Sequence, residues 1–397
     1  MRREVLYVAL PVTLLLTVAG LGGFEIFRQF QTPQLSSIFL AATSTEPVAP
    51  TAETNTLVVV EPPEPVTLHV PLPDEVRGIY WTAETARIKR AEELRSYMLK
   101  TGLNAVVIDL KMDNGQVVMP PQAMIDKLGT DDIYRIARLA VMRDSVYAYA
   151  HPDQAIKSSS GKLWVDKTGA AWLNPSNLEV ADAALDLARQ AYEMGFDEIQ
   201  FDYVRFASDG ALSAISKADN PKNKTEIMRK FFEHVGGTLK EEQIPVSFDL
   251  FGMAFLTAED VGIGQLLEDV YPNADFISPM TYPSHYWPGF IGYNNPAIYP
   301  YEVVKHTLDK GAEILETDHF ISPTSSRPKV RPWLQDFDIG ATYTAERIEA
   351  QIKASRDAGA SGWMLWNARN VYEPANYLKG APKKEVPSET PTSVPAQ

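Results

Sequence analysis

Between about Asp74 and Lys379 the chain alternates short runs rich in β-branched and aromatic residues with longer stretches whose apolar positions recur every three or four residues. That rhythm is the signature of repeated βα units on a parallel sheet. Eight strands are predicted, over Val76–Trp81, Asn104–Leu110, Ile133–Ala140, Asp197–Tyr203, Pro245–Leu250, Asp275–Thr281, Val330–Gln335 and Ser361–Trp366. Apolar stripes predict helices over Glu84–Thr101, with Leu94, Met98 and Leu99 on one face, over Leu178–Met194, with Ala181, Leu185, Ala188 and Tyr192 in register, and over Thr344–Ala358. Gly102, Gly195 and Gly359 stand where such helices stop. Eight units over residues 74–380 predict one α/β domain, a single (β/α)8 TIM barrel.

The fourth strand carries the sharpest pattern. From Phe196 to Phe206 apolar and polar residues alternate, placing Ile199, Phe201 and Tyr203 on one face and Glu198, Gln200, Asp202 and Val204 on the other. The charged groups then face whatever the strand encloses. The third unit is ambiguous: Ile133, Ile136, Ala137, Ala140 and Val141 also fit a helix face, which would move the strand to Val146–Ala150.

Outside this region the pattern changes. Val5–Phe24 is a run without a charge behind Arg2 and Arg3, long enough to cross about 30 Å of hydrocarbon as a helix. Residues 1–30 are expected to form a transmembrane anchor with its N-terminus inside, which places the barrel outside the cytoplasm. A cleaved signal peptide is the alternative and makes the barrel a secreted one; a buried soluble helix is a third reading. Residues 31–73, dense in Pro, Thr and Glu, read as a disordered linker, and 381–397 as a disordered tail.

Composition removes several functions. A net charge of −14 with no basic patch argues against nucleic acid as a partner. The absence of cysteine excludes disulfides, thiolate metal sites and a cysteine nucleophile. The six histidines show no ligand spacing, so neither metal nor cofactor is expected.

In such a barrel the active site forms at the carboxyl ends of the strands, and these ends are polar. Strand two ends in Asp109 and Lys111, strand four in Asp202 and Arg205, strand five in Asp249. Strand six runs into Tyr282, His285, Tyr286 and Trp287, strand seven ends in Trp333, Gln335 and Asp336, and strand eight in Trp366 and Asn367. Two carboxylates flanking a glycosidic bond are the minimal apparatus of sugar hydrolysis. Asp202 and Asp249, on adjacent strands, are the candidate catalytic pair, with Arg205 and Lys111 as the cations that hold one of them ionised. Single aspartates also serve as caps or ion-pair partners, and Asp109 and Asp336 are as readily read that way. Trp81, Tyr203, Tyr282, Tyr286, Trp287, Trp333 and Trp366 fall at strand ends, where rings can stack on sugars. Asp109, Lys111, Arg205, Tyr282, His285, Trp287, Trp333, Gln335, Asp336, Trp366 and Asn367 are therefore candidate substrate contacts. Trp164 and Trp172, in the loop Gly161–Asn177, form either a cleft wall or a packed hairpin.

Four segments, Gly195–Phe206, Ile277–Tyr286, Arg331–Phe337 and Gly362–Asn370, together resemble the putative glycosyl hydrolase family of bacterial extracytoplasmic (β/α)8 barrels. The resemblance runs from about Arg77 to Tyr377 and implies the barrel, an envelope-associated setting and glycoside hydrolysis of a polysaccharide. It also favours the strand over the helix at Ile133–Ala140. One step departs from it: Met142-Arg143-Asp144 stands where the family has Phe-Lys-Asp. A more distant similarity, to chitinase-type barrels, matches Asp197, Asp202, Met280, Tyr282 and Trp366, while Gln200 and Val204 replace the middle Asp and the proton-donating Glu. The acid must then come from elsewhere, with Asp249 the first candidate. A carbohydrate-binding barrel without catalysis is the competing reading, and a scaffold without a glycan site a third.

Overall fold

A computed structural model describes residues 69–381. The expected anchor, nearly all of the linker and the tail from residue 382 lie outside the described residues. No helix among the described residues is long and apolar enough to cross a membrane.

In chain order the elements are β1 (Val76–Trp81), α1 (Lys89–Thr101), β2 (Ala105–Lys111), α2 (Gln122–Thr130), β3 (Tyr134–Ala140), α3 (Ser145–Ala150), α4 (Glu179–Glu193), β4 (Glu198–Asp202), α5 (Lys224–Glu241), β5 (Val246–Phe251), α6 (Leu267–Val270), β6 (Phe276–Met280), α7 (Pro300–Glu313), α8 (Pro323–Ser326), β7 (Trp333–Gln335), α9 (Ala345–Asp357) and β8 (Gly362–Trp366). The strands close into a barrel in sequence order, every neighbouring pair parallel and β8 returning to β1. All eight predicted strands are present.

The ambiguous third segment is a strand because it is buried along its whole length, between the barrel interior and the helices, and so has no polar face for a surface helix. The alternative strand at Val146–Ala150 lies in α3, whose first turn is capped by the Asp144 carboxylate accepting from the Tyr147 N–H at 2.7 Å. β7 is shorter than predicted, since Pro332 has no N–H for the ladder and Val330 makes only an isolated bridge to Ile277. The helix predicted from Glu84 begins at Lys89, after a 3₁₀ turn at Thr85–Arg87 and an extended Ile88. Gly102, Gly195 and Gly359 all take positive φ, the left-handed conformation that ends a helix.

Two large apolar cores result, with a small third cluster of Tyr286, Phe290 and Val303 under the loop before α7. One lies between barrel and helices and takes Ile199 and Phe201 from β4. The other fills the barrel and includes Tyr80, Val107, Ile136, Tyr282, Trp333 and Met364. Inside the barrel sit the polar residues of β4, Glu198, Gln200 and Asp202, as the alternation predicts. Glu198, at the amino-terminal end, is ion-paired to Arg331 and accepts from Ser247 Oγ at 2.6 Å and the Tyr134 hydroxyl at 3.2 Å. Beside it, between β3 and α2, Arg135 grips Asp197 through Nε at 2.9 Å and Nη2 at 2.7 Å.

Candidate active site

At the opposite end of the barrel the charge balance is different. Register places Asp109 of β2 beside Arg138 of β3, and the β4 to β5 register that pairs Phe201 with Phe248 brings Asp202 and Asp249 to the next step. Arg138 turns inward and meets all three acids. Its Nη1 donates to Asp109 Oδ1 at 2.6 Å, its Nη2 and Nε both donate to Asp202 Oδ2, the latter at 3.1 Å, and Nε stands 3.8 Å from Asp249 Oδ2. The Tyr80 hydroxyl donates to Asp109 at 2.5 Å, and the Trp333 indole N–H to Asp249 at 2.8 Å. Trp366 stacks on Tyr80 with 4.0 Å between centroids and lies under the Arg138 guanidinium at 5.2 Å.

One guanidinium leaves three buried carboxylates short of positive charge, which favours the protonated form of a carboxyl among them. Burial, reinforced by the charge of Asp202, holds the Asp249 carboxyl well above the usual range. Asp109 is also pushed up by burial, against the pull of Arg138. Asp249 is almost sealed, at 1% exposure, and Asp202 reaches 8%. Both Oδ2 atoms are measured from the same Nε, so they can be no further apart than those two lengths laid end to end. That bound admits the ~5 Å of retaining glycosidases and the near edge of the ~6.5–9.5 Å range of inverting ones.

The structure corrects the expected cations. Lys111 is paired with Asp144 at 2.7 Å and donates to the Ala140 carbonyl, and Asp202 is held by Arg138 and not by Arg205. Arg205 donates to the Phe206 carbonyl and Ser208 Oγ, both at 3.1 Å, and its guanidinium lies among the rings of Phe251, Trp172 and Tyr203. The alternation of the fourth strand also stops earlier than expected. Tyr203 takes a left-handed backbone, φ 53°, with its N–H on Asp202 Oδ1 at 2.5 Å. A bulky residue there costs on the order of 1–3 kcal/mol, strain of the kind that gathers at functional sites. Beyond that kink Val204 packs into the outer core, so position 204 does not face the mouth and a glutamate there would supply no acid.

The remaining candidates separate. Tyr282 lines the cluster: burial, then the charges of Asp249 and Asp202, hold its hydroxyl well above its usual range. His285 stands edge-on to Tyr282 at 5.1 Å, and burial lowers its pKa to about 4. Gln335 is spent on structure, accepting from the Ser284 N–H and donating to the Phe337 carbonyl. Asp336 points the other way, to the Glu373 N–H at 3.1 Å, and burial raises its pKa to about 7. Asn367 donates to the Asp336 carbonyl and accepts from the Arg369 N–H, so neither residue meets the carboxylate cluster. Trp81 faces the outer core, Tyr286 is buried beneath its loop against Thr307, and Trp287 is exposed in that loop, edge-on to Phe290. Trp164 and Trp172 are buried in a hairpin bridged at Val165 and Ala171, which is the packed reading. Arg138 and Tyr80 escaped the sequence reading. The signal was present in two arginines, Arg135 and Arg138, inside an otherwise apolar strand, three apart and so on opposite faces.

Comparison with known proteins identifies a family. A family described as a putative glycosyl hydrolase domain matches residues 78–372. No curated protein matches the chain. Among solved structures, a hypothetical protein from Ruminiclostridium thermocellum is 29% identical over 43% of this chain and 96% of its own, with a TM-score of 0.39. The spore cortex-lytic enzyme SleL of Bacillus megaterium is 14% identical over 78% of this chain and 74% of its own (TM-score 0.49). The α-L-fucosidase isoenzyme 2 of Paenibacillus thiaminolyticus is 13% identical over 74% of this chain and 46% of its own (TM-score 0.50), a likeness of fold alone.

Proposed function

The chain belongs to the putative glycosyl hydrolase domain family, and from that premise we propose that it hydrolyses glycosidic bonds in an extracellular or cell-envelope polysaccharide, with Asp202 and Asp249 as the working pair. The observation that carries this reading is the single guanidinium of Arg138 shared by three buried carboxylates. Structural charge needs no such excess, whereas sugar hydrolysis needs one carboxyl protonated and its neighbour ionised at the same pH. Asp249, held protonated by burial and by Asp202, gives its proton to the leaving oxygen as the glycosidic C–O bond breaks. Asp202, ion-paired to Arg138, acts on the anomeric carbon, either by direct attack or by taking a proton from the water that attacks it. Trp366, partly exposed and backed by the buried ring of Tyr80, gives the sugar ring an apolar face to rest on. The extracytoplasmic setting rests on the apolar run at Val5–Phe24, which would tether the barrel to a membrane or direct it to secretion.

One observation favours a second reading, a carbohydrate-binding barrel without catalysis: Asp249 is almost inaccessible. Incubating the protein with cell-wall and exopolysaccharide preparations and assaying new reducing ends separates the two. Hydrolysis releases ends in proportion to enzyme; bound glycan with no new ends at any pH leaves the binding reading.

A further inference from the structure

The loop between β6 and α7 is built unlike the rest of the mouth. No Asp, Glu, Lys or Arg occurs between Asp275 and Glu302, in a chain where 22% of residues are charged. Its one imidazole, His285, is held neutral by burial down to about pH 4. Yet the loop is not hidden. Trp287 is 48% exposed and Tyr299 36%, and both rings are held from behind. Trp287 stands edge-on to Phe290 (4.9 Å, 72°), which packs on Tyr286 at 4.5 Å, and Tyr299 stacks on Tyr293 (3.8 Å, 16°). The loop sets out from the carboxylate cluster at Tyr282, and its Ser284 N–H is fastened to Gln335 of β7.

We infer that this loop is a binding platform for an uncharged polysaccharide, a subsite beyond the cluster that is filled only by a substrate several sugars long. The inference rests on the glycan substrate proposed above and adds its charge class and its length. Sugars present apolar C–H faces to rings and hydroxyls to dipoles, so rigid exposed rings beside an exposed amide such as Asn294 suit them without any formal charge. A polyanion is disfavoured twice, by the net charge of −14 and by the unbalanced acids next door. Ile291 and Ile298 are also exposed, as on a protein-docking surface. Such surfaces share the aromatics and the lack of charge but are also enriched in Arg and Met, and neither occurs between Thr281 and Tyr299.

Binding is read on the full chain carrying Asp202→Asn, so that polymer is not consumed, by affinity electrophoresis against neutral glucan, galactan and xylan, with polygalacturonate as the charged contrast. A neutral polymer should retard the protein. Trp287→Ala and Tyr299→Ala should each weaken retardation about tenfold, the effect of removing an aromatic anchor, while Trp287→Phe, which keeps a ring, should lose little. The phenylalanine variant also guards against a folding artefact. Equal retardation by polygalacturonate, alanine variants that bind like their parent, or no retardation by any neutral polymer would each overturn the inference. So would self-association of the full chain that Trp287→Ala abolishes, because the loop would then be a protein contact. Failure of the hydrolase reading looks different: wild-type protein is retarded by a neutral polymer and releases no reducing ends from it.

Discussion

The two ends of the barrel bury acids by different rules. At the amino-terminal end each buried acid has a cation of its own, Asp197 with Arg135, Glu198 with Arg331 and Glu75 with both Arg77 and Arg356. At the carboxyl-terminal end Asp109, Asp202 and Asp249 share Arg138. Removing charges from water costs several kcal/mol each unless they are paired, so the matched end is what folding tolerates and the unmatched end is what folding alone does not explain. The unequal environments of neighbouring carboxyls at that end mark it as the place for proton transfer.

The largest effect that sharpens the comparison is Asp202→Asn. It should lower turnover by about 10³-fold or more while the unfolding midpoint stays close to that of the parent, because a working carboxylate supplies several kcal/mol of transition-state stabilisation. Near-parental turnover would remove Asp202 from the mechanism. At the matched end the expectation reverses. Arg331→Met leaves Glu198 buried without its cation and should cost about 3–5 kcal/mol of stability in a urea titration, with turnover per folded molecule unchanged. The double variant Glu198→Gln/Arg331→Met should recover much of that loss; if it does not, the pair is not the reason.

How much of this was legible in the sequence follows from where each residue takes its instructions. The strands were readable because a barrel strand buried on both faces must be a short apolar run between helical stripes. The inward acids of β4 followed from the same periodicity. Arg138 was not readable as the shared partner, because which carboxylates a guanidinium reaches depends on the β2, β3 and β4 register. Arg205 misled through closeness in sequence: three residues past Asp202, it lies beyond the left-handed turn at Tyr203 and is carried into the aromatic layer. The same kink removed Val204 from the mouth, and with it the argument from a missing glutamate there.

Asp336, just past the carboxyl end of β7 but turned away from the cluster, tests the rule differently, being a buried acid with no ion-pair partner among the described residues. Its pKa rises from 3.8 to about 7 through burial. The folded state therefore holds a proton there that the unfolded chain has already released, so stability falls as pH rises from about 4 towards about 7. The contribution is on the order of 2–4 kcal/mol. His285, lowered to about 4 by burial, pulls the other way over part of that window, so the quantity to measure is the difference between parent and Asp336→Asn across pH. The variant should gain on the parent steadily between pH 4 and 7, and a flat difference would show that Asp336 does not titrate there. Activity should follow Asp249 instead, falling on the alkaline side as its raised carboxyl loses the proton it donates.

The smallest effect is also the one that most directly opposes the two ends. Asp249→Asn keeps a carbonyl oxygen for the Trp333 indole N–H and removes one of the acids competing for Arg138. Where a matched acid is lost stability should fall, but here it should rise, by about 1–2 kcal/mol at pH 8, because the desolvation and the repulsion from Asp202 disappear together. The gain should shrink as pH falls, since the parent then carries a neutral carboxyl at the same place and the amide offers little advantage over it. A variant that is both inactive and more stable at pH 8 identifies Asp249 as a group held at the mouth against the preference of the fold. A variant less stable than its parent at every pH would instead place Asp249 with Glu198 and Asp197 as part of the framework, and leave Asp202 to find its acid elsewhere.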